Sequence, residues 1–187
     1  FVLDDGWFGK RDTDYSGLGD WGVNESKIKG GLPQLVKRIK GLGMKFGLWI
    51  EPEMVSEDSD LYRNHPDWIL RIPQRNMTRS RHQLNLDITR KEVRDYVMKQ
   101  IFQVLDSCGV DYVKWDMNRS VANVYSSALP RERQGEVFHR YMLGVYEMME
   151  QLVTRYPDLL FENCAGGGGR FDAGMLYYSP QIWCSDN

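Results

Sequence analysis

Cysteine is scarce. Cys108, Cys164 and Cys184 are the only three in 187 residues, too few and too scattered for a disulfide framework, and no Cys-x-x-Cys pair is there to hold zinc. A reducing compartment, and so a cytoplasmic location, is the expectation. Charge of one sign is lacking as well: 24 Lys and Arg against 26 Asp and Glu leave a formal net charge of −2, which excludes a strongly basic nucleic-acid binder. No apolar run approaches the roughly 20 residues that span a bilayer, so no membrane partner is expected. Low-complexity stretches and Pro/Gly/Ser-rich linkers are missing, and with them any sequence sign of a second domain. None of the three histidines lies near Cys164 in sequence, which argues against a cysteine hydrolase. The first residues, Phe1-Val2-Leu3-Asp4-Asp5-Gly6, have neither a charged leader nor a cleavage site. They read as the middle of a buried strand, so the segment is expected to come from a longer chain.

What is present is ordinary for a globular protein, with 42% hydrophobic and 27% charged residues. Six tryptophans and ten tyrosines supply flat amphipathic surface, which carbohydrate sites and packed cores both use. Short apolar runs end in polar residues six times: Phe1–Leu3 before Asp4-Asp5, Phe46–Ile50 before Glu51, Leu84–Leu86 before Asp87, Tyr112–Trp115 before Asp116, Leu159–Phe161 before Glu162, and Ile182–Cys184 before Asp186. Between them lie helical spacings: Leu35, Val36, Ile39 and Leu42; Val93, Val97, Ile101, Val104 and Leu105; Val137, Tyr141, Val145, Met148 and Leu152. A repeated strand and helix implies parallel pairing. Carboxylates at the carboxyl end of nearly every strand favour a (β/α)8 TIM barrel over a doubly wound dinucleotide binder, whose signal sits in one glycine-rich turn. Six units predict an incomplete barrel, with at least two strands outside the segment and with open edges that leave this piece unstable alone.

Lys114, Asp116 and Asn118 fall on one face of a strand by its two-residue period. A cation two positions from a carboxylate favours the ionised form that a nucleophile needs, although an ion pair at a strand end is the plainer reading. Carboxylates crowded at one rim repel unless something lies between them. Asp4, Asp5, Asp116 and Glu162 are hard donors for a divalent cation, but Lys114 and Trp49 are poor neighbours for one. A polyhydroxylated ligand fits better, its hydroxyls donating to carboxylates while an aromatic face covers its C–H side. Neither a metal nor a cofactor is expected. A second carboxyl for acid/base work is sought in Asp186, which follows an apolar approach, with Glu162 as competitor and helix capping as the plain alternative. The run Asn163-Cys164-Ala165-Gly166-Gly167-Gly168-Gly169-Arg170 allows close backbone approach to a ligand. It lacks the ending of a phosphate loop and the spacing of a dinucleotide fingerprint. Arg79 and Arg81 lie in an exposed loop, with Arg81 placed to reach the rim.

Asp4-Asp5-Gly6-Trp7-Phe8-Gly9, Leu48–Met54, Tyr112–Arg119, Glu162–Arg170 and Cys184-Ser185-Asp186-Asn187 together resemble the catalytic barrel of family 36 α-galactosidases of the melibiase/raffinase type. The resemblance spans the whole chain but only the central part of a family member. It implies a flanking N-terminal β-sandwich and a C-terminal β domain, and retaining hydrolysis of terminal α-galactosyl residues of oligosaccharides such as melibiose and raffinose. It implies Asp116 as nucleophile and Asp186 as acid/base. Asp4 and Asp5 would bind the 4- and 6-hydroxyls, Trp49 would pack on the sugar, and Lys114, Arg81 and Asn118 would bond ring hydroxyls. Cys164 and Gly167 would lie near the 2-hydroxyl. A homo-oligomer, as in tetrameric bacterial members, is implied too. Galactosyl transfer of the raffinose or stachyose synthase type, an N-acetylgalactosaminidase and a non-catalytic sugar binder are the rivals.

Overall fold

The computed structural model describes residues 1–186. In chain order its elements are β1 (Val2–Leu3), α1 (Gly31–Gly41), β2 (Gly47–Ile50), β3 (Met54–Val55), α2 (Asp60–Asn64), β4 (Leu84–Asn85), α3 (Lys91–Ser107), β5 (Tyr112–Trp115), a 3-10 turn (Arg131–Glu136), α4 (Val137–Arg155), β6 (Leu160–Asn163), α5 (Ala173–Tyr178) and β7 (Gln181–Ile182). The helical spacings hold where a stripe meets the core. Val93, Val97, Ile101, Val104 and Leu105 are buried along α3, and Val137, Tyr141, Val145, Met148 and Leu152 along α4. Leu42 departs from its expected place in a stripe and is 73% exposed, because α1 stops at Gly41 and Gly43, at φ +78°, turns the chain away.

Five strands form one parallel sheet in the order β1-β2-β5-β6-β7. The order never reverses, so right-handed crossovers place the connecting helices on a single face. Leu48, Val113 and Phe161, neighbours in register, point into that covered core and are at most 1% exposed. The opposite face carries Val2, Gly47, Tyr112 and Leu160 in one row, then Trp49, Lys114, Glu162 and Gln181 in the next row toward the strand ends. Val2 and Leu160 are 44% and 43% exposed there. A Cβ at Gly47 would stand 2.6 Å from the Tyr112 ring and 3.0 Å from Val2, so glycine is what lets that row close up.

One expected strand is placed differently. Leu84-Asn85 is not in the parallel sheet; it pairs antiparallel with Met54-Val55 in a separate ribbon. The sheet therefore has five strands rather than six. An apolar triplet such as Leu84-Asn85-Leu86 specifies burial but not a partner. Here the partner is the chain just past β2, to which Leu86 N–H also donates, at Glu53 O (2.9 Å).

Candidate functional site

The carboxyl end of β5 carries Asp116, 5% exposed. Its Oδ2 accepts from Trp49 Nε1 (3.1 Å) and Asn118 Nδ2 (2.7 Å), and its Oδ1 from the Met117 N–H (2.8 Å). Burial first, then the Asp116 charge, pushes the Cys164 thiol up to about 11. Cys164 is thus a protonated thiol rather than a reactive thiolate. The expected Lys114 to Asp116 ion pair is not formed: Lys114 Nζ leans toward β7 and stands 4.7 Å from the centroid of the Trp183 ring. Neutral donors hold the aspartate.

Asn118 joins this carboxylate to two loops. Its Oδ1 accepts from Arg81 Nη1 (2.7 Å), so Arg81 does reach the rim, while Arg79 pairs with Glu57 instead. The Asn118 N–H donates to Glu51, whose other oxygen accepts from Gln83 Nε2 (3.1 Å). Arg119, 4% exposed, donates to the carbonyls of Thr78 and Gln83 and fastens the loop in which Arg81 and His82 take φ of +50° and +57°.

Glu51 is fully buried, and desolvation, aided by the nearby Asp116 charge, raises it from 4.5 to about 7. Its folded value lies above its unfolded one, so the stability associated with its proton is fully present below about 4.5 and is lost as pH rises through about 7. A rise of that size corresponds to about 3 kcal/mol. Glu51→Gln in the complete protein is expected to remove this dependence. Denaturant midpoints of parent and variant should diverge in the variant's favour between about pH 5 and pH 8, and a constant difference would count against the assignment.

The glycine run after β6 is shaped by what crosses it. Gly167 and Gly168 have φ of +77° and +93°, and a Cβ on them would stand 2.7 Å from Asp186 N and 2.4 Å from Cys184 O. The segment after β7 therefore lies directly on the loop. Asp186 is exposed, and its Oδ1 accepts from Trp183 Nε1 (2.8 Å). Cys164 stands close enough to Asp116 for that charge to raise its thiol, and Gly167, three residues on, has no room for a Cβ beside Asp186, so a short path runs Asp116, Cys164, Gly167, Asp186. Glu162, the competing carboxyl, is 2% exposed and is bonded by Gln181 and Tyr112. It is an occupied inner-face group.

Asp4 and Asp5 follow β1 and are exposed. Asp4 Oδ1 accepts from the Asp5 N–H (2.8 Å), and the Asp5 carboxylate is gripped by Arg11 through Nε (3.0 Å) and Nη2 (2.8 Å). Trp49 is 3% exposed, stacked 6.2 Å from Phe8, so its indole N–H on Asp116 is its visible polar role. Among the described residues, no three His, Cys, Asp or Glu side chains are grouped to hold a metal ion.

Arg11, Gln83, Glu53, Arg119 and Arg170 escape a sequence reading. Their partners lie in other elements, although Glu53, Arg119 and Arg170 stand within or beside legible motifs.

A singly wound parallel sheet with carboxylates, a tryptophan and a glycine loop gathered at its carboxyl end defines the class of α/β proteins whose sites are built from strand-end loops. Residues 1–187 match the Melibiase family model throughout, and the chain belongs to that family. It is 63% identical over 186 residues to the bifunctional alpha-galactosidase/sucrose kinase AgaSK of Mediterraneibacter gnavus, covering 100% of this chain and 19% of that protein. Against the crystal structure of the GH36 alpha-galactosidase AgaB from Geobacillus stearothermophilus the TM-score is 0.98 at 59% identity, over 100% of this chain and 26% of that one. Substituted forms of AgaA from the same organism, in complex with raffinose and with stachyose, give 0.97 and 0.96 at 57% identity, again over 100% and 26% of the two chains. The chain thus spans about a fifth to a quarter of the length of these relatives.

Proposed function

We propose that the complete protein is a retaining exo-α-galactosidase, acting on terminal α-galactosyl residues of oligosaccharides of the raffinose and stachyose kind. In this reading strands outside the segment close the sheet into a (β/α)8 barrel, set between an N-terminal β-sandwich and a C-terminal β domain. The single observation that carries the proposal is the short path Asp116, Cys164, Gly167, Asp186, which puts a held carboxylate and an exposed carboxyl on one small loop. The comparisons support it: in the AgaA complexes one aspartate is substituted with raffinose bound and another with stachyose bound. Those two stand as far apart along their chain as Asp116 and Asp186 do here.

In the first step Asp116 Oδ attacks the anomeric carbon as the bond to the leaving oxygen breaks and Asp186 gives that oxygen its proton. In the second, Asp186 takes a proton from water, whose oxygen bonds the anomeric carbon as the bond to Asp116 breaks. Two inversions give net retention, with the carboxyl groups ~5–5.5 Å apart when the site is loaded. Asp4 and Asp5 would accept from the 4- and 6-hydroxyls, and Arg11, by fixing Asp5, makes that acceptor rigid. A sugar whose 4-hydroxyl points the other way covers one of these acceptors and leaves it unpaired, at a cost of ~1–3 kcal/mol. Lys114, Arg81 and Asn118 would meet ring hydroxyls, with Trp49, Cys164 and Gly167 lining the floor.

Proton NMR of an aryl α-galactoside digest tests the reading. The first-formed sugar should be α-galactose, which then mutarotates; β-galactose first, or no release of galactose, overturns it. Gly167→Ala provides a local check. Its methyl group has no room beside Asp186 N, so kcat should drop by about 10–10²-fold with KM nearly unchanged, as expected for a displaced acid/base.

A further inference from the structure

Glu53 lies three residues beyond the end of β2 and is 0% exposed. Its two oxygens take four bonds. Oε1 accepts from Trp115 Nε1 (2.9 Å) and Arg170 Nη2 (2.8 Å), and Oε2 from Tyr141 OH (2.9 Å) and Arg170 Nη1 (3.0 Å). Trp115 is the residue immediately before Asp116. Arg170 closes the glycine run, and its own carbonyl accepts from Asn163 Nδ2 (3.0 Å), so both ends of that loop are fixed to β6 and to Glu53. The bidentate Arg170 to Glu53 pair is 8% and 0% exposed on its two sides.

We infer that Glu53 is a positioning residue for the catalytic pair: one buried carboxylate anchors the strand end that carries Asp116 and the loop on which Asp186 rests, and so sets their separation. The inference rests on the reading of Asp116 and Asp186 given above. An uncharged core would serve stability as well or better, since a buried ion pair contributes little net stability over a packed apolar replacement. The pair offers instead a fixed geometry: a planar fork on a planar acceptor holds the loop end in one orientation.

The test separates geometry from stability, in the complete protein. Glu53→Gln leaves Arg170 charged, buried and half-partnered, and is expected to lower both the melting temperature and activity. Glu53→Met with Arg170→Met removes both charges and restores apolar packing. The melting temperature is expected to rise above that of Glu53→Gln, short of the parent's because Trp115 Nε1 and Tyr141 OH lose their acceptor, while kcat stays down about 10²-fold at near-parental KM. Trp115→Phe, which removes only one of the four bonds, keeps the question answerable if the double variant does not fold. It should lower kcat several-fold at near-parental KM, with a melting temperature below the parent's, from the lost ring volume, but above that of Glu53→Gln. Recovery of kcat together with melting temperature in the double variant, or an unchanged kcat in Trp115→Phe, overturns the inference. A parent protein that releases no galactose overturns the functional reading first, and the inference with it.

Discussion

Replacing Asp116 by glycine in the complete protein is expected to abolish hydrolysis of an aryl α-galactoside, by about 10⁴-fold or more, and added azide is expected to restore turnover with β-galactosyl azide as product. The size follows from the residue's surroundings. The carboxylate is 5% exposed and held on both oxygens by Trp49, Asn118 and the Met117 N–H. In the proposed reaction it would meet the anomeric carbon with little reorganisation, and its neighbouring carboxyls are occupied: Glu51 is engaged by Asn118 and Gln83, and Glu162 by Gln181. Glycine leaves a slot into which azide fits, attacking from the face the carboxylate used. Azide that fails to react, or that gives the α anomer, would remove Asp116 from the nucleophile's role.

Asp186→Ala gives the complementary result. Loss of a general acid costs about 10²–10⁴-fold when the leaving group needs a proton. Raffinose should suffer that full loss, and an aryl galactoside with an acidic phenol much less. Azide should here trap the covalent intermediate and give the α anomer, opposite to the product from the Asp116 variant. A uniform loss on both substrates, with no azide product, would mean that Asp186 acts on position rather than on a proton. Its exposure, with an accepted bond from Trp183 Nε1, is consistent with a carboxyl free to trade protons with water.

Much of this site is legible along the chain. Asp116, Asn118 and Lys114 share a strand face because side chains alternate with a period of two. The run of four glycines reads as a loop for close approach of a ligand; in the structure it is the segment after β7 that lies against it, Gly167 by Asp186 and Gly168 by Cys184. The stripes of α3 and α4 declare their buried faces. Less legible was anything that depends on a partner. Leu84-Asn85 has the same local signal as the sheet strands, and only the nearness of Met54-Val55 puts it in a ribbon. Spacing along the strand pairs Lys114 with Asp116, whereas its side chain lies over Trp183.

By itself, then, the sequence determined the six apolar strand segments, the three long helices with most of their apolar faces, and the polar residues that end the strands, since these follow from periodicities internal to each segment; the short β3, α2 and α5 carry too few residues to show one. Only the tertiary structure decided that the parallel strands run in unbroken order and that Arg11 grips Asp5. It alone placed the buried Glu53 carboxylate, gathering Trp115, Tyr141 and Arg170 from three distant stretches. Hydrogen bonds across long loops carry no period and leave no local mark, so they become visible only when the chain has closed on itself.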